Sequence, residues 1–281
     1  MGNYSEEWGN PQDSDLIAAR FKALSRNRSQ LVASLGSVKR RRKEGLFVVE
    51  GHKNVTDLLA GGGIFEVVWL IATPTYILSH LDDISGCWHL DDSKVCYVAP
   101  ARLRELSALS APSDVMAVLR LPSSTGNLLS GSPLPMDLYL MLDGVQDPGN
   151  LGTIVRTCHW FGIRRIFASR DTVDIFNPKA IQSTMGSLGA VEVTYLDLPS
   201  LAAANPEIPV VGLQLEGDNI FHVPLPDSAF ICMGSEGNGL SESMRRMLKH
   251  SYTIPPFDHA NHPESLNVAI ATAITLAQFR R

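Results

Sequence analysis

Five residues in three separated stretches carry the side-chain types from which a group-transfer site is built: Asn150 and Arg156, Glu236, and Ser265 with Asn267. Each stretch joins a Gly- or Pro-containing loop to an apolar run. In LDGVQDPGNLGTIVRTCHWFGI (142–163), an apolar strand ends at Asp143-Gly144, and a Pro-Gly loop opens a helix with Asn150 near its start and Arg156 along it. In CMGSEGNGLSE (232–242), a second strand runs into a Gly-rich loop that carries Glu236. In IPPFDHANHPESLNVAIATAITLAQFRR (254–281), a polar loop delivers Ser265 and Asn267 to the first turn of an apolar helix. Arginine offers a fixed fork of donors suited to phosphate, a carboxylate accepts donors, and amide and hydroxyl groups orient a polar ligand. Taken singly, each stretch has a plainer reading: Asn150 as a helix cap, Arg156 as a surface charge, and 254–281 as a core helix with an ordinary cap.

The elements around these residues favour a shared site. Apolar strands are expected at 137–142, 165–168, 191–195, 209–213 and 230–233, and a short segment at 252–254 leads into the final helix. Helices are expected at 150–161, 178–188, 241–250 and from Pro263 onward, with Pro263 at a first helical position and Glu264 at the positive helix start. Leu266, Ala269, Ile270, Ala273, Ile274 and Ala277 recur at helical spacing and mark a face for burial. This alternation implies a mostly parallel sheet covered on both faces, whose loops at the carboxyl ends of the strands bind ligands. Neither Gly-rich loop is a GxGxxG fingerprint after a first strand or a GxxxxGK[ST] phosphate loop, which disfavours a nicotinamide enzyme and a nucleoside triphosphatase.

Upstream, helices are expected at 15–24, 29–35, 55–60, 74–80 and 100–109, and strands at 46–51, ending in a Gly turn, and at 65–71, 94–98 and 115–119. They describe a small α/β domain. LPSSTGNLLSGSPLP (121–135) reads as a linker. The expected order is a tail at 1–13, a substrate-binding domain at 14–120, the linker, and a catalytic domain at 136–281.

The chain has 281 residues, 44% hydrophobic and 19% charged, with a net charge of −5. That is the composition of a globular protein with a sizeable core. No apolar run approaches the ~20 residues that span a bilayer, so no membrane association is expected. Cys87, Cys96, Cys158 and Cys232 lie far apart with no CxxC, which disfavours a disulfide framework or zinc site and points to the cytoplasm. His259 and His262 read as loop residues, and no metal is expected. Despite the acidic average, Lys39, Arg40, Arg41, Arg42 and Lys43 form a basic run suited to phosphates, since surface charge acts over about one Debye length, ~8 Å at physiological salt.

In their order and spacing, the three stretches over 137–281 resemble the SpoU (TrmH-like) family of RNA ribose 2′-O-methyltransferases in the SPOUT superfamily. The segment 46–51, LFVVEG, after the basic run, resembles the RNA-recruiting domain of many members. The resemblance implies a sheet with a deep trefoil knot, S-adenosylmethionine as cofactor, a homodimer, and RNA as substrate, with ribosomal RNA favoured over transfer RNA. It also implies a donor cradle formed by Leu213, Met233, Gly234, Gly237, Ile254, Leu266 and Asn267. The residues matching the family's polar set are Asn150, Arg156, Glu236, Ser265 and Asn267. A guanidinium has no acceptor and a pKa above ~12, so Arg156 is expected to clamp a phosphate and stabilise a forming alkoxide rather than act as a base. Glu236 is expected to orient Arg156. The loop PFDHANHP (256–263) departs from the family by its length and lack of glycine. Two other readings remain open here: an RNA-binding protein without catalysis, and a knotted methyltransferase acting on a base atom.

Overall fold

The computed structural model describes residues 11–60, 65–122, 133–258 and 261–281. Most of the expected tail, and the central part of the expected linker, lie outside the described residues. The chain divides into two compact units. One comprises the described residues up to 122 together with 176–189, and the other comprises 133–175 and 190–281.

The first unit runs α1 (Pro11–Arg20), β1 (Lys22–Ala23), α2 (Arg26–Ser34), α3 (Val38–Glu44), β2 (Leu46–Glu50), α4 (His52–Ala60), β3 (Val67–Ala72), α5 (Pro74–Ser79), β4 (Val95–Tyr97), α6 (Pro100–Leu106) and β5 (Val115–Arg120). Its sheet has the order β1-β4-β3-β5-β2, parallel through β1, β4 and β3 and antiparallel at β3/β5 and β5/β2. All five residues of β2 are buried: Leu46 to Val49 as an apolar run, and Glu50 by accepting from the Ser107 hydroxyl and the Ala108 backbone N–H. Val32, Leu35, Val48, Ile71, Leu103 and Val118 form a core beneath α2 and α6. The basic run, for which no element was expected, is helical and forms most of α3.

The second unit contains β6 (Leu138–Asp143), α7 (Pro148–Trp160) and β7 (Arg165–Ala168). After α8 (Pro178–Thr184), which belongs to the first unit, come β8 (Glu192–Tyr195), α9 (Leu198–Ala204), β9 (Val210–Asn219), β10 (Ala229–Gly234), α10 (Glu242–Arg245), β11 (His250–Thr253) and α11 (Val268–Phe279). The six strands are parallel throughout, in the order β11-β9-β10-β6-β7-β8. Central β6 is buried along its whole length, as expected of a strand covered on both faces. Tyr139, Phe167 and Phe230 meet in the core, with ring centroids 5.5–6.2 Å apart.

Strand order reverses between β6, which leads outward to β7 and β8, and β10, which leads to β9 and β11. Such a switch point opens a crevice at the carboxyl ends of the strands.

Three sequence expectations are corrected. The helix expected over 241–250 is only Glu242–Arg245, because the chain turns at once into β11. The last helix starts at Val268, not at Pro263. Its buried face is Val268, Ala269, Thr272, Thr275 and Leu276, whereas Leu266 and Ile270 are about half exposed. The threonines can be buried because each hydroxyl donates to a carbonyl of its own helix, Thr272 to Val268 and Thr275 to Ala271.

Candidate active site

The loops after β6 and β10 and the start of α11 converge on one hydrogen-bonded chain. Asp147 caps α7 by accepting from the Asn150 backbone N–H at 2.8 Å, and Pro148 takes the first turn, where its missing N–H costs nothing. The cap is therefore Asp147, and the Asn150 carboxamide is left for other partners. Its Nδ2 donates to Glu236 Oε1 at 2.5 Å, and its Oδ1 accepts from Asn267 Nδ2 at 2.9 Å. Asn267 in turn caps α11, its Oδ1 accepting from the backbone N–H groups of Ala269 and Ile270. The Glu236 carboxylate is thus tied to the first turns of two long helices, where partial positive charge favours an anion.

Glu236 is held at the tip of a tight loop. Ser235 and Gly239 exchange both backbone hydrogen bonds, at 3.1 and 3.0 Å, and Gly239 has the left-handed φ of 64° that the turn requires. Gly234 allows this closure: a Cβ there would come within 2.2 Å of the Gly239 carbonyl carbon. The far end of the loop is tied to β6, since the Ser241 backbone N–H donates to Asp143 Oδ2 at 2.6 Å. Burial, with the nearby Asp143 charge, pushes the Cys232 thiol well up, so it stays protonated and inert.

Beside this cluster is a cavity of about 840 Å³. Leu213, Met233, Gly234, Gly237, Ile254 and Leu266 line it, together with Glu236 and Ser265. Asn267 stands between the wall residues Leu266 and Val268. One wall was not legible in the sequence. Strand β9 was expected to stop at Leu213, but it continues to Asn219 after an excursion. Its partner Ser251 pairs with Gly212, while the next residue, Tyr252, pairs with Asp218. Residues 213–217 therefore have no ladder partner in β11, although Leu213 still pairs with Met233 of β10, and they line the cavity. The bulge is fixed by Gln214 Nε2 donating to Ser251 Oγ at 2.8 Å and by Thr253 Oγ1 donating to the Leu215 carbonyl at 3.1 Å. A pair of glycines, Gly212 and Gly217, flanking the short alternating run Leu213-Gln214-Leu215-Glu216 was the available signal; a Cβ on Gly217 would meet the Ser251 carbonyl oxygen at 2.6 Å.

Arg156 is exposed on α7 and makes no hydrogen bond or ion pair among the described residues. The expectation that Glu236 orients it is corrected, because the carboxylate is bound to Asn150 instead. His262 is exposed, with Nδ1 2.7 Å from the Pro263 carbonyl, and His259 lies outside the described residues. Among the described residues, no group of three or more His, Cys, Asp or Glu side chains is placed to hold a metal ion.

The basic run in the other unit is not uniform. Lys39, Arg40, Arg42 and Lys43 are exposed, with Arg40 Nη1 3.6 Å from Glu44. Arg41 is 1% exposed, and its Nη1 donates to the Leu35 and Gly36 carbonyls at 2.9 and 2.8 Å. Its expected phosphate contact is therefore corrected: it satisfies the end of α2 and anchors α3, and its charge does not reach a ligand surface.

Residues 137–277 match the SpoU rRNA methylase family, and residues 27–117 match an MRM3-like substrate binding domain. A 23S rRNA guanosine 2′-O-methyltransferase of Bacillus subtilis is 29% identical over 88% of this chain and 93% of its own length. A solved structure from Porphyromonas gingivalis, assigned to the TrmH family of RNA methyltransferases, is 35% identical, with a TM-score of 0.77 over 92% of this chain and 98% of that one. An AdoMet-bound rRNA methyltransferase from Sinorhizobium meliloti is 25% identical, with a TM-score of 0.77 over 92% of this chain and 96% of that one. With its three motif stretches converging at the switch point of a parallel sheet, the chain belongs to the SpoU rRNA methylase family.

Proposed function

We propose that this protein transfers a methyl group from S-adenosylmethionine to a ribose 2′-hydroxyl of ribosomal RNA. The observation that carries the reading is the Asn267–Asn150–Glu236 chain at the edge of the cavity. The cavity fits the donor in size, since ligand sites of this kind hold about 300–1,000 Å³. It fits in chemistry as well: Leu213, Met233, Leu240 and Ile254 offer apolar wall to a purine, the bared backbone at Gly234 and Gly237 offers hydrogen bonds, and Glu216, Glu236 and Glu264 suit a cationic ligand.

When bound, S-adenosylmethionine supplies a methyl group activated by its sulfonium charge. The protein's share of the work is alignment and removal of the hydroxyl proton. Asn150 and Asn267 fix the relative positions of the loops after β6 and β10 and the start of α11. Arg156, with no partner among the described residues to compete for it, clamps the phosphate next to the target ribose and stabilises the oxygen as its proton leaves to phosphate or water. Lys39, Arg40, Arg42 and Lys43 supply phosphate contacts for RNA recruitment.

The reading extends to a knotted C-terminal half, a cytoplasmic location and a homodimer. Supporting the dimer, α11 packs against α7 and leaves Trp160 (85%) and Ile270 (52%) exposed on the pair. Calorimetry with S-adenosylmethionine tests the proposal. Saturable binding to the full chain is expected, and no binding at millimolar donor, with RNA present, would favour an RNA-binding protein without catalysis.

A further inference from the structure

Residues 254–258 lead away from the cavity in an unusual way. Ile254 lines it, Pro255 and Pro256 follow, and Phe257 then stands fully in solvent, at 107% relative exposure. Two consecutive prolines restrict the backbone to extended conformations. Three extended residues span about 10 Å, so Phe257 is held within that distance of the cavity wall. With no packing partner among the described residues, the phenylalanine ring forgoes the burial it would otherwise gain. Its position within about 10 Å of a ligand cavity suggests that a ligand supplies the missing contact.

The charge of the cavity narrows the identity of that ligand. Among the described residues that line it, Glu216, Glu236 and Glu264 face one cation, Arg245, which donates to the Asn238 carbonyl at 3.3 Å. This acidic lining disfavours phosphates within the cavity itself, away from Arg156, and leaves the uncharged faces of the bases as the favourable part of RNA to bring beside it. Unpaired bases stack on exposed aromatic rings whatever the local charge.

We propose that Phe257 is a stacking platform for an unpaired nucleobase at or next to the nucleotide whose ribose is methylated. This rests on the methyl-transfer reading above. The ring sets how RNA enters the site and takes no part in holding the donor.

Full-length Phe257→Ala, Phe257→Leu and Phe257→Trp proteins test the assignment, with ribosomal RNA from a strain lacking this gene as probe. RNA affinity is measured without donor, turnover with it, donor affinity by calorimetry and oligomeric state by light scattering. Phe257→Ala and Phe257→Leu are expected to raise KM and Kd for RNA about tenfold, the scale of one lost base stack. Phe257→Trp is expected to stay within about twofold of wild type, because a π-face suffices. Donor affinity and oligomeric state are expected to be unchanged in all three. RNA affinity unaltered in Phe257→Ala, or fully kept in Phe257→Leu, overturns the proposal. A weakened donor assigns the ring to the donor site, and a shift in oligomeric state assigns it to contact with a second copy; each also overturns it. Weakened RNA binding by Phe257→Ala, alongside a wild type that transfers no methyl, would support the platform while refuting the reaction, so the two failures are distinguishable.

Discussion

The basic helix α3 and the polar chain at the ends of β6 and β10 build binding chemistry in opposite ways. On α3 the charges are consecutive in sequence, and one helix carries them all. Four face solvent and one, Arg41, is turned inward to hold carbonyls. In the second unit, Asn150, Glu236 and Asn267 come from three distant stretches, yet hydrogen bonds join them directly. Exposed neighbouring charges are interchangeable and sum with distance, which suits sequence-independent grip on phosphates. Interlocked amides and carboxylate are not interchangeable, because removing one leaves its partners without their bonds. The first arrangement is expected to fail gradually under mutation and the second abruptly.

The largest effect is expected at Arg156. Arg156→Ala should lower kcat by roughly a hundred- to a thousandfold, the scale for a lost donor to developing negative charge. Arg156→Lys should recover little, since a point charge cannot grip bidentately. Nearly full turnover in the lysine variant, measured with saturating RNA and donor, would break the clamp account. Next is Asn150→Ala, which removes both bonds of the chain. A fall in kcat/KM of about ten- to a hundredfold is expected. If Glu236→Gln and Asn267→Ala are combined with it, the losses should be clearly less than additive, because the three act as a unit.

Gly234→Ala sharpens the contrast by acting on backbone alone. The added methyl must move the Gly239 backbone, so donor binding should weaken by about 1–3 kcal/mol on the scale of overpacking. Arg41→Ala and Arg42→Ala test the basic helix internally. Arg41→Ala should cost about 2–3 kcal/mol of stability in denaturant unfolding, from unpaired carbonyls and a cavity. Arg42→Ala should leave stability within about 0.5 kcal/mol and lower the slope of log K for RNA against log salt by about 1. Equal salt slopes in the two variants would erase the distinction drawn between a buried and an exposed member of the run.

Much of this was legible in the sequence because loop chemistry and apolar runs are local. The strands of the parallel sheet, the helix that carries Asn150 and Arg156 and the Gly-rich loop at Glu236 all declare themselves in a few residues, although that helix begins at Pro148 and not at Asn150. What was misread depends on packing. Helix α11 is apolar nearly all round, so periodicity could not choose its buried face, and Thr272 and Thr275 read as polar until their hydroxyls find carbonyls. Pro263 and Glu264 imitate a helix start, while the true cap is Asn267. Arg41 is indistinguishable from its neighbours by type. The excursion of β9 exists only in its pairing with β11. The convergence of Asn150, Glu236 and Asn267 was implied by family resemblance, whereas the bond pattern among them, including the assignment of Glu236 to Asn150 rather than Arg156, required coordinates.

The central claim is that the three loops make one site for methyl transfer to a ribose hydroxyl. The most direct measurement incubates the full chain with isotopically labelled S-adenosylmethionine and ribosomal RNA from a deletion strain, digests the RNA to nucleosides, and weighs the labelled products. A single 2′-O-methylnucleoside, absent when Arg156→Ala protein is used, is the expected result. Label on a base, or none in RNA under conditions where the donor binds, would contradict it.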